Sequence, residues 1–241
     1  MKSALLLPSL LALAVVGIAA VGPAADQPAT KPASVYKMPF DEAKAGELPT
    51  GWKADATNPR GELAEWKVVA DDKAPSKPNV LSMTKIADTS GGHFNVCWTK
   101  DVQFKDGTLE VKIRANTGNQ DQGGGLIWRA ADAKNYYIAR YNPLETNFRL
   151  YYVKDGRRIQ LADVGNLEIK TGEWFTMKIV VNGGTMEGYL NGKKLLEVTD
   201  KTFPDAGGVG LWSKADAASS FDDFVAEPAK AGTATYPASE R

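Results

Sequence analysis

The amino-acid sequence predicts an all-β protein whose antiparallel strands form a sandwich or barrel within a single domain. Three observations support this prediction. Apolar and polar residues alternate with a period of two between Val35 and Ala226, and tight-turn sequences separate the alternating runs. No segment shows the 3.6-residue helical period for more than a turn or two, and 41–47 and 214–218 are single turns at most.

The clearest strand lies at 108–114, where Leu109, Val111 and Ile113 alternate with polar residues and therefore share one face. A second regular segment lies at 175–181. Shorter alternating segments occur at 66–69, 80–84, 94–99, 126–129, 136–141, 148–153, 159–162, 186–190, 195–199, 209–213 and 221–226. Asp-Gly or Asn-Gly pairs typical of tight hairpins stand at 106–107, 155–156, 182–183 and 191–192. We expect the last strand to return beside the first.

Both ends of the chain differ in composition from the alternating region. Residues 1–25 have a basic start, a long apolar run and small residues before Asp26, as in a secretory signal peptide. Residues 26–33 form a Pro/Ala-rich spacer, 34–227 form the folded domain, and 228–241 form a disordered tail. We therefore expect export to the periplasm or the extracellular space, with no membrane span after cleavage. An uncleaved apolar run would instead act as an anchor.

The composition excludes several classes of function. The chain has 241 residues with 29 basic and 29 acidic side chains, and this balance argues against nucleic-acid binding. It contains one cysteine, Cys97, and one histidine, His93, so an intramolecular disulfide and a multi-cysteine or multi-histidine metal centre are excluded. Cys97 lies in an apolar strand, and this position predicts a buried, inert thiol.

Several motifs together resemble a known family. They include Asp121-Gln122-Gly123-Gly124-Gly125 before a strand, 135–145, Gly172-Glu173-Trp174, Gly208-Val209-Gly210-Leu211-Trp212 and Phe221-Asp222-Asp223-Phe224. They resemble exported concanavalin A-like (laminin G-like) jelly-roll domains of the 3-keto-disaccharide hydrolase-like or family 16 glycoside hydrolase-like group, over about 35–226. The resemblance implies an antiparallel jelly-roll β-sandwich and a carbohydrate ligand.

The resemblance also implies hydrolysis, but the carboxylates do not show the usual pattern. Family 16 glycosidases carry a Glu-x-Asp-x-x-Glu strand that places two carboxylates on one face, and this spacing is absent from the sequence. Asp121 and Glu145 are the acids nearest to the distinctive segment and are our candidates for catalysis. A general base needs an orienting group, and we favour an exposed or hydrogen-bonded structural role for His93 over catalysis.

Aromatic and arginine side chains alternate along three strands and predict a ligand site. Sugar rings offer apolar C–H patches surrounded by hydroxyl groups, which aromatic faces and guanidinium forks complement. The predicted ligand-binding residues are Trp128, Arg129, Tyr137, Arg140, Asn142, Glu145 and Arg149. Alternation places Arg140 on the face of Tyr136 and Ile138, opposite Tyr137 and Tyr141. The alternative interpretation is structural: the aromatic side chains would pack in the core, and the arginines would form ion pairs at the surface.

No cofactor is predicted, apart from a structural calcium ion that would join the first and last strands. Asp41 follows the first strand, and Asp222 and Asp223 lie in the last strand. Their oxygen atoms suit a hard cation. The alternative is that these carboxylates accept hydrogen bonds from the backbone or from arginine.

Three functions remain open at this stage. The first is a secreted, non-catalytic domain that binds a glycan through an aromatic and arginine face. The second is a carbohydrate-active hydrolase that uses Asp121 or Glu145. The third is a structural or adhesion module. The sequence shows no recognisable catalytic carboxylate pair, which argues against the hydrolase, and we therefore favour glycan binding.

Overall fold

The computed structural model describes residues 34–86 and 92–229, and these residues form two antiparallel sheets without a helix. The predicted signal peptide, the spacer and most of the predicted tail lie outside the described residues. The last strand ends at Pro228, one residue into the predicted tail. Within the described ranges, no helix is long and apolar enough to cross a membrane.

Fifteen strands make up the described chain. They are β1 (Tyr36–Met38), β2 (Trp52–Thr57), β3 (Glu65–Ala70), β4 (Asn79–Lys85), β5 (Phe94–Phe104), β6 (Gly107–Thr117), β7 (Gly124–Asp132), β8 (Asn135–Asn142), β9 (Asn147–Lys154), β10 (Arg157–Val164), β11 (Trp174–Asn182), β12 (Thr185–Leu190), β13 (Lys193–Thr199), β14 (Gly207–Lys214) and β15 (Ala218–Pro228). Every alternating segment of the sequence lies in one of them. β2 was not predicted, because Ala54 and Ala56 give only a weak apolar signal.

The strands divide into an eight-stranded and a seven-stranded sheet. The first has the order β13-β12-β11-β6-β15-β4-β3, and β1 also pairs with β15. The second has the order β10-β9-β8-β7-β14-β5-β2. Tyr36 pairs with Ala226, which confirms that the last strand returns beside the first. The single jelly-roll sandwich predicted from the sequence is therefore the fold observed.

The main core lies between the two sheets. The predicted apolar face of β6 (Leu109, Val111 and Ile113) is fully buried there, against Leu126 of the opposite sheet. Burial of each such side chain stabilises the fold by about 1.5–3 kcal/mol. Cys97 belongs to the same core and is fully buried, and burial raises the pKa of its thiol. The prediction of an inert cysteine agrees with this position.

A second apolar cluster lies on the other face of the seven-stranded sheet. Its members alternate along the strands with residues of the main core, so they point away from the eight-stranded sheet. They are Phe94, Val96, Trp98, Ile127, Ala130, Tyr136, Ile138, Tyr151, Val153 and Trp212. We call this side of the sheet the curved face.

Contacts between the two edges of the seven-stranded sheet show that it curls. Thr57, at the end of the edge strand β2, donates a hydrogen bond to the carbonyl oxygen of Ala133 in the β7–β8 turn (2.5 Å), and its hydroxyl lies 2.6 Å from that of Tyr136. Asn58 donates to the carbonyl oxygen of Gly156, which lies in the turn before the opposite edge strand β10 (2.9 Å). The seven-stranded sheet therefore curls around the second cluster.

Candidate functional site

A charged network lies on the curved face and centres on Arg140 of β8. Its Nη2 donates to Asp121 Oδ1 and to Glu145 Oε1, each at 3.1 Å. Arg140 is 1% exposed and Asp121 is also 1% exposed, so this ion pair is buried. Arg140 pairs directly with Arg149 of β9 in the sheet register, so these two arginines form a stripe across neighbouring strands.

Glu145 and Arg149 extend the network towards solvent. Arg149 Nη1 donates to Glu145 Oε2 at 2.9 Å, and Arg149 Nε donates to Asp163 Oδ1 at 2.8 Å. On the far side, Lys214 Nζ lies 3.1 Å from Asp121 Oδ2. Arg140, Arg149 and Lys214 are thus balanced by three carboxylates. This balance holds a large number of charges on one face without a large net charge.

The loop before β7 places Asp121 in this network. The Asp216 carboxylate accepts hydrogen bonds from the backbone N–H groups of Asn119, Gln120 and Asp121, at 2.6–3.1 Å. Gly118 has φ +145°, and a Cβ atom there would lie 1.9 Å from the Asp121 carbonyl oxygen. Only glycine fits this close approach, so the loop has one geometry.

Asn142 fixes the turn that carries Glu145. Its Oδ1 accepts the backbone N–H of Leu144 at 2.8 Å, and its Nδ2 donates to Asp121 Oδ1 at 2.9 Å. The predicted site residues Asp121, Arg140, Asn142, Glu145 and Arg149 are therefore brought together on one face. Asn142 acts here as a positioning residue, because it is fully buried and both polar ends of its amide are used by the protein.

Electrostatics keep the carboxylate of Glu145 ionised. Burial opposes ionisation, but hydrogen bonds from Asn147 and Arg140 and the charges of Arg140 and Arg149 lower its pKa to about 2. Burial also opposes the charge of Arg140, but Asp121 and Glu145 raise the pKa of its guanidinium overall. Both groups are therefore fully charged near neutral pH.

This charge state bears on the predicted catalytic pair. Asp121 and Glu145 contact the same nitrogen at 3.1 Å each, so their oxygens are at most about 6.2 Å apart, a range that includes the separation of about 5–5.5 Å in retaining glycosidases. Glycoside hydrolysis, however, requires one of the two groups as a protonated acid. A pKa of about 2 leaves Glu145 without a proton to donate at neutral pH.

Three other predicted ligand-binding residues lie away from the charged network. Trp128 and Tyr137 are fully buried in the main core, where their rings stack with centroids 5.6 Å apart. Arg129 stands at a β-bulge with φ +47° and is turned out of the arginine stripe. Its guanidinium donates to the carbonyl oxygens of Lys105, Phe203 and Gly183 and to Asp106, at 2.6–3.2 Å.

The prediction from the sequence therefore missed the bulge at Arg129. It also assigned Trp128 and Tyr137 to the ligand site, whereas both rings belong to the main core. A bulge shifts the alternation by one residue, so Arg129 leaves the face that a regular strand would give it. The third arginine of the curved face is instead Arg158 of β10, which pairs with Val153. The signal that could have found it is the polar sequence Arg157-Arg158 after the Asp155-Gly156 turn.

The three aspartates predicted to bind calcium are not assembled into a metal site. Asp41 accepts the backbone N–H of Asn79 at 3.0 Å, and Asp222 accepts hydrogen bonds from the backbone and hydroxyl of Ser76 at 2.8 and 3.0 Å. Asp223 pairs with Lys112 at 2.6 Å. In the part of the chain that the structure describes, no three His, Cys, Asp or Glu side chains converge as metal ligands. These contacts agree with the alternative prediction, in which the aspartates accept hydrogen bonds or form ion pairs within the protein.

A separate cavity of about 580 Å³ lies beside the β8–β9 turn. It is bounded by Pro143, Thr146 and the segment 167–171. None of the arginines of the charged network lines it. Its lining includes polar side chains such as Glu168 and Lys170, but it is separate from the charged network.

The fold and the site together define a class of protein, a jelly-roll β-sandwich of the concanavalin A-like type with a charged network on its curved face. Residues 40–224 match the 3-keto-alpha-glucoside-1,2-lyase-like domain, and the chain belongs to this family. No curated protein sequence matches the chain significantly.

Solved structures share the fold at low sequence identity. The carbohydrate-binding module CBM66 from Bacillus subtilis is 20% identical, with a TM-score of 0.58, over 74% of this chain and 96% of the module. A Bacillus subtilis protein of unknown function with a galectin-like fold is 15% identical, with a TM-score of 0.56, over 81% and 96%. The cellulose induced protein Cip1 is 17% identical, with a TM-score of 0.56, over 79% and 96%.

Proposed function

We propose that this protein binds a saccharide at the charged network of the curved face, without catalysing its cleavage. The observation that carries the proposal is a set of polar groups beside aromatic rings on one curved surface. Arg140 Nε and Arg158 Nη1 are both buried, and neither has a hydrogen-bond acceptor among the described residues. Sugar hydroxyl groups are acceptors of the kind that such N–H groups require.

The chemistry of the network supports binding ahead of catalysis. Asp121, Glu145 and Asp163 each pair with a cation, and the lowered pKa of Glu145 leaves it without a proton to donate near neutral pH. Charged pairs of this kind are good partners for hydroxyl groups, which donate to carboxylates and accept from guanidinium. The family name refers to a glucoside, and one structural neighbour is named a carbohydrate-binding module.

Calorimetric titration with methyl α-glucoside, maltose and methyl glucuronide tests the proposal. At least one of these should bind with a dissociation constant in the millimolar range or below. Arg149→Gln should weaken that binding about tenfold, because a hydrogen bond to a charged group contributes about 1.5–3 kcal/mol.

Arg157→Gln is the matched control, since Arg157 is exposed and lies on the neighbouring strand β10. It should leave the affinity unchanged. Absence of binding by all three sugars at millimolar concentration would contradict the proposal.

The family supports a second candidate, elimination from a 3-keto-α-glucoside. In a 1,2-lyase reaction a base takes the proton at C2, which the ketone acidifies, the C1–O bond breaks and a C1=C2 double bond forms. Arg140 and Arg158 are cations that would stabilise the enolate oxygen. The reaction also needs a base to take the C2 proton, and the three carboxylates of the network are all paired with cations.

Incubation with a 3-keto-α-glucoside distinguishes the two candidates. The elimination product is a conjugated enone that absorbs ultraviolet light, and the released alcohol can be measured separately. Release of both by the wild-type protein, lost in Arg140→Gln, would establish the lyase and displace the non-catalytic proposal.

A further inference from the structure

Arg158 occupies an aromatic enclosure on the curved face. Its guanidinium carbon lies 4.5 Å from the ring centroid of Tyr151, 5.0 Å from that of Phe94 and 5.7 Å from that of Trp212. These rings come from three different strands, β9, β5 and β14, which the curl of the sheet brings around one side chain. Cation–π contacts with the rings hold the guanidinium in place.

Apart from the exposed Arg157, Arg158 is the arginine of the seven-stranded sheet that has no carboxylate partner among the described residues. Arg129 pairs with Asp106, Arg140 with Asp121 and Glu145, and Arg149 with Glu145 and Asp163. Among the residues that the structure describes, Arg158 forms no salt bridge and donates no hydrogen bond, and its Nη1 is buried. The positive charge of Arg158 is therefore not balanced by a carboxylate, whereas the charges of Arg129, Arg140 and Arg149 are.

An unbalanced charge in this position has an energetic cost. Burial, together with the nearby charge of Arg140, lowers the pKa of Arg158 below its usual value. Cation–π contacts offset part of the desolvation cost but supply no hydrogen-bond acceptor for the N–H groups. An oxyanion from a ligand would provide both the acceptor and the opposite charge.

Arg140 supplies a second unsatisfied donor close to the first. Its Nε is buried without an acceptor, although its two Nη atoms are used by Asp121, Glu145 and Asn147. Tyr151 lies between the two arginines in the sheet, since it pairs with Ile138 of β8, two residues before Arg140, and with Gln160 of β10, two residues beyond Arg158. The strands that carry the two arginines thus lie on either side of the strand that carries Tyr151.

We propose that the saccharide bound on the curved face is acidic, and that Arg158 binds its carboxylate while the neutral part of the sugar contacts the charged network. This inference rests on the proposed saccharide-binding function. A carboxylate is favoured because its two coplanar oxygens match the planar fork of a guanidinium group. The aromatic enclosure excludes water and so strengthens this pairing.

The test compares matched sugars by calorimetric titration of the wild-type protein. Methyl glucuronide should bind at least tenfold more tightly than methyl glucoside, which differs only in having a hydroxymethyl group in place of the carboxylate. Its affinity should fall as salt is added, whereas that of the neutral sugar should change little. Glucose 6-phosphate is the third ligand, and tighter binding of this phosphate ester would overturn the carboxylate assignment.

Variants at position 158 identify the responsible side chain. Arg158→Gln should abolish the preference for the acidic sugar, so that methyl glucuronide and methyl glucoside bind this variant with affinities within about twofold of each other. Arg158→Lys keeps the charge without the fork and should retain part of the preference. Arg157→Gln should behave as the wild type, and circular dichroism should show that each variant is folded.

The outcomes separate the two proposals. Equal binding of the acidic and neutral sugars, or a preference that survives in folded Arg158→Gln, would overturn the acidic-ligand inference and leave saccharide binding intact. Failure of every sugar to bind would contradict the saccharide-binding function itself. If Arg158→Gln does not fold, retention of the full preference in Arg158→Lys would overturn the inference, because a point charge would then suffice.

Discussion

Arg140 is the residue on which the charged network depends, because it is buried and contacts two carboxylates at once. Removing it would leave Asp121 buried beside a single cation, Lys214. An uncompensated buried charge typically destabilises a protein by about 3–5 kcal/mol, so Arg140 serves stability as well as any ligand. Glu145 and Arg149 are more exposed and are therefore better positions for variants that probe binding.

Glu145 should make stability depend on pH in the acid range. Its pKa falls from 4.5 to about 2 on folding. A carboxyl group with a lowered pKa in the folded state stabilises the protein above its unfolded pKa, and the contribution is lost as pH falls towards the folded value. The free energy of unfolding should therefore decrease between about pH 4.5 and pH 2.

Urea unfolding of the wild type and of Glu145→Gln measures this effect. The wild type should be more stable at pH 7, and the difference between the two proteins should shrink as pH approaches 2. Because the Glu145 side chain is partly exposed, solvent screening makes the difference modest. A difference that stays constant across this range would show that Glu145 is not held ionised by the arginines.

At the scale of elements, the curl of the seven-stranded sheet brings its two edges together. β2 and β10 are opposite edges of the sheet, but the residue after β2, Asn58, contacts the turn before β10. The curl brings Phe94, Tyr151 and Trp212 around Arg158. A flat sheet would leave Tyr151 of β9 and Trp212 of β14 separated by β8 and β7.

The Asn58–Gly156 contact offers a test of this closure. Gly156 has φ +77°, and a Cβ atom there would lie 2.4 Å from Asn58 Oδ1. Gly156→Ala should therefore cost about 1 kcal/mol for the left-handed backbone and about 1 kcal/mol more for the displaced hydrogen bond. Urea unfolding gives the total.

Gly172→Ala is the matched control for backbone strain. Gly172 has φ +85°, and no atom lies within 4 Å of its Cβ position. This variant should cost only the backbone strain of about 1 kcal/mol. Equal destabilisation by the two substitutions would show that the contact across the sheet edges contributes nothing measurable to stability.

At the scale of the whole molecule, one continuous core joins the two sheets. Cys97 lies in this core on β5, between β14 and β2, and is fully buried. Burial raises the pKa of the thiol, so both access and ionisation oppose its reaction. The thiol therefore reports on opening of the sandwich.

A thiol-specific reagent such as DTNB should react with Cys97 only after unfolding. In native buffer, labelling should be at least a hundredfold slower than in 6 M guanidinium chloride, because reaction requires the opening of a central strand. Labelling and loss of circular dichroism should follow the same denaturant dependence if the domain unfolds in one step. Rapid labelling of the folded protein would contradict the buried position of Cys97.

Local patterns were sufficient to predict much of the architecture. The alternation of Leu109, Val111 and Ile113 predicted their burial, because side chains of a strand point to opposite faces in turn. The same rule correctly placed Arg140 with Tyr136 and opposite Tyr137. It did not apply to Arg129, because the bulge that redirects this residue depends on the register with β8.

The sequence by itself determined the all-β sandwich and the two faces of each regular strand. Periodicity and turn residues encode these features locally. Only the tertiary structure decided that Arg140 and Arg149 are in register, that Arg158 has no counter-charge among the described residues, and which aromatic rings surround it. Phe94 and Trp212 lie far in the chain from the β9–β10 hairpin that carries Tyr151 and Arg158, and they meet it through the curl of the sheet. Long-range pairing, which no local pattern specifies, is the physical reason.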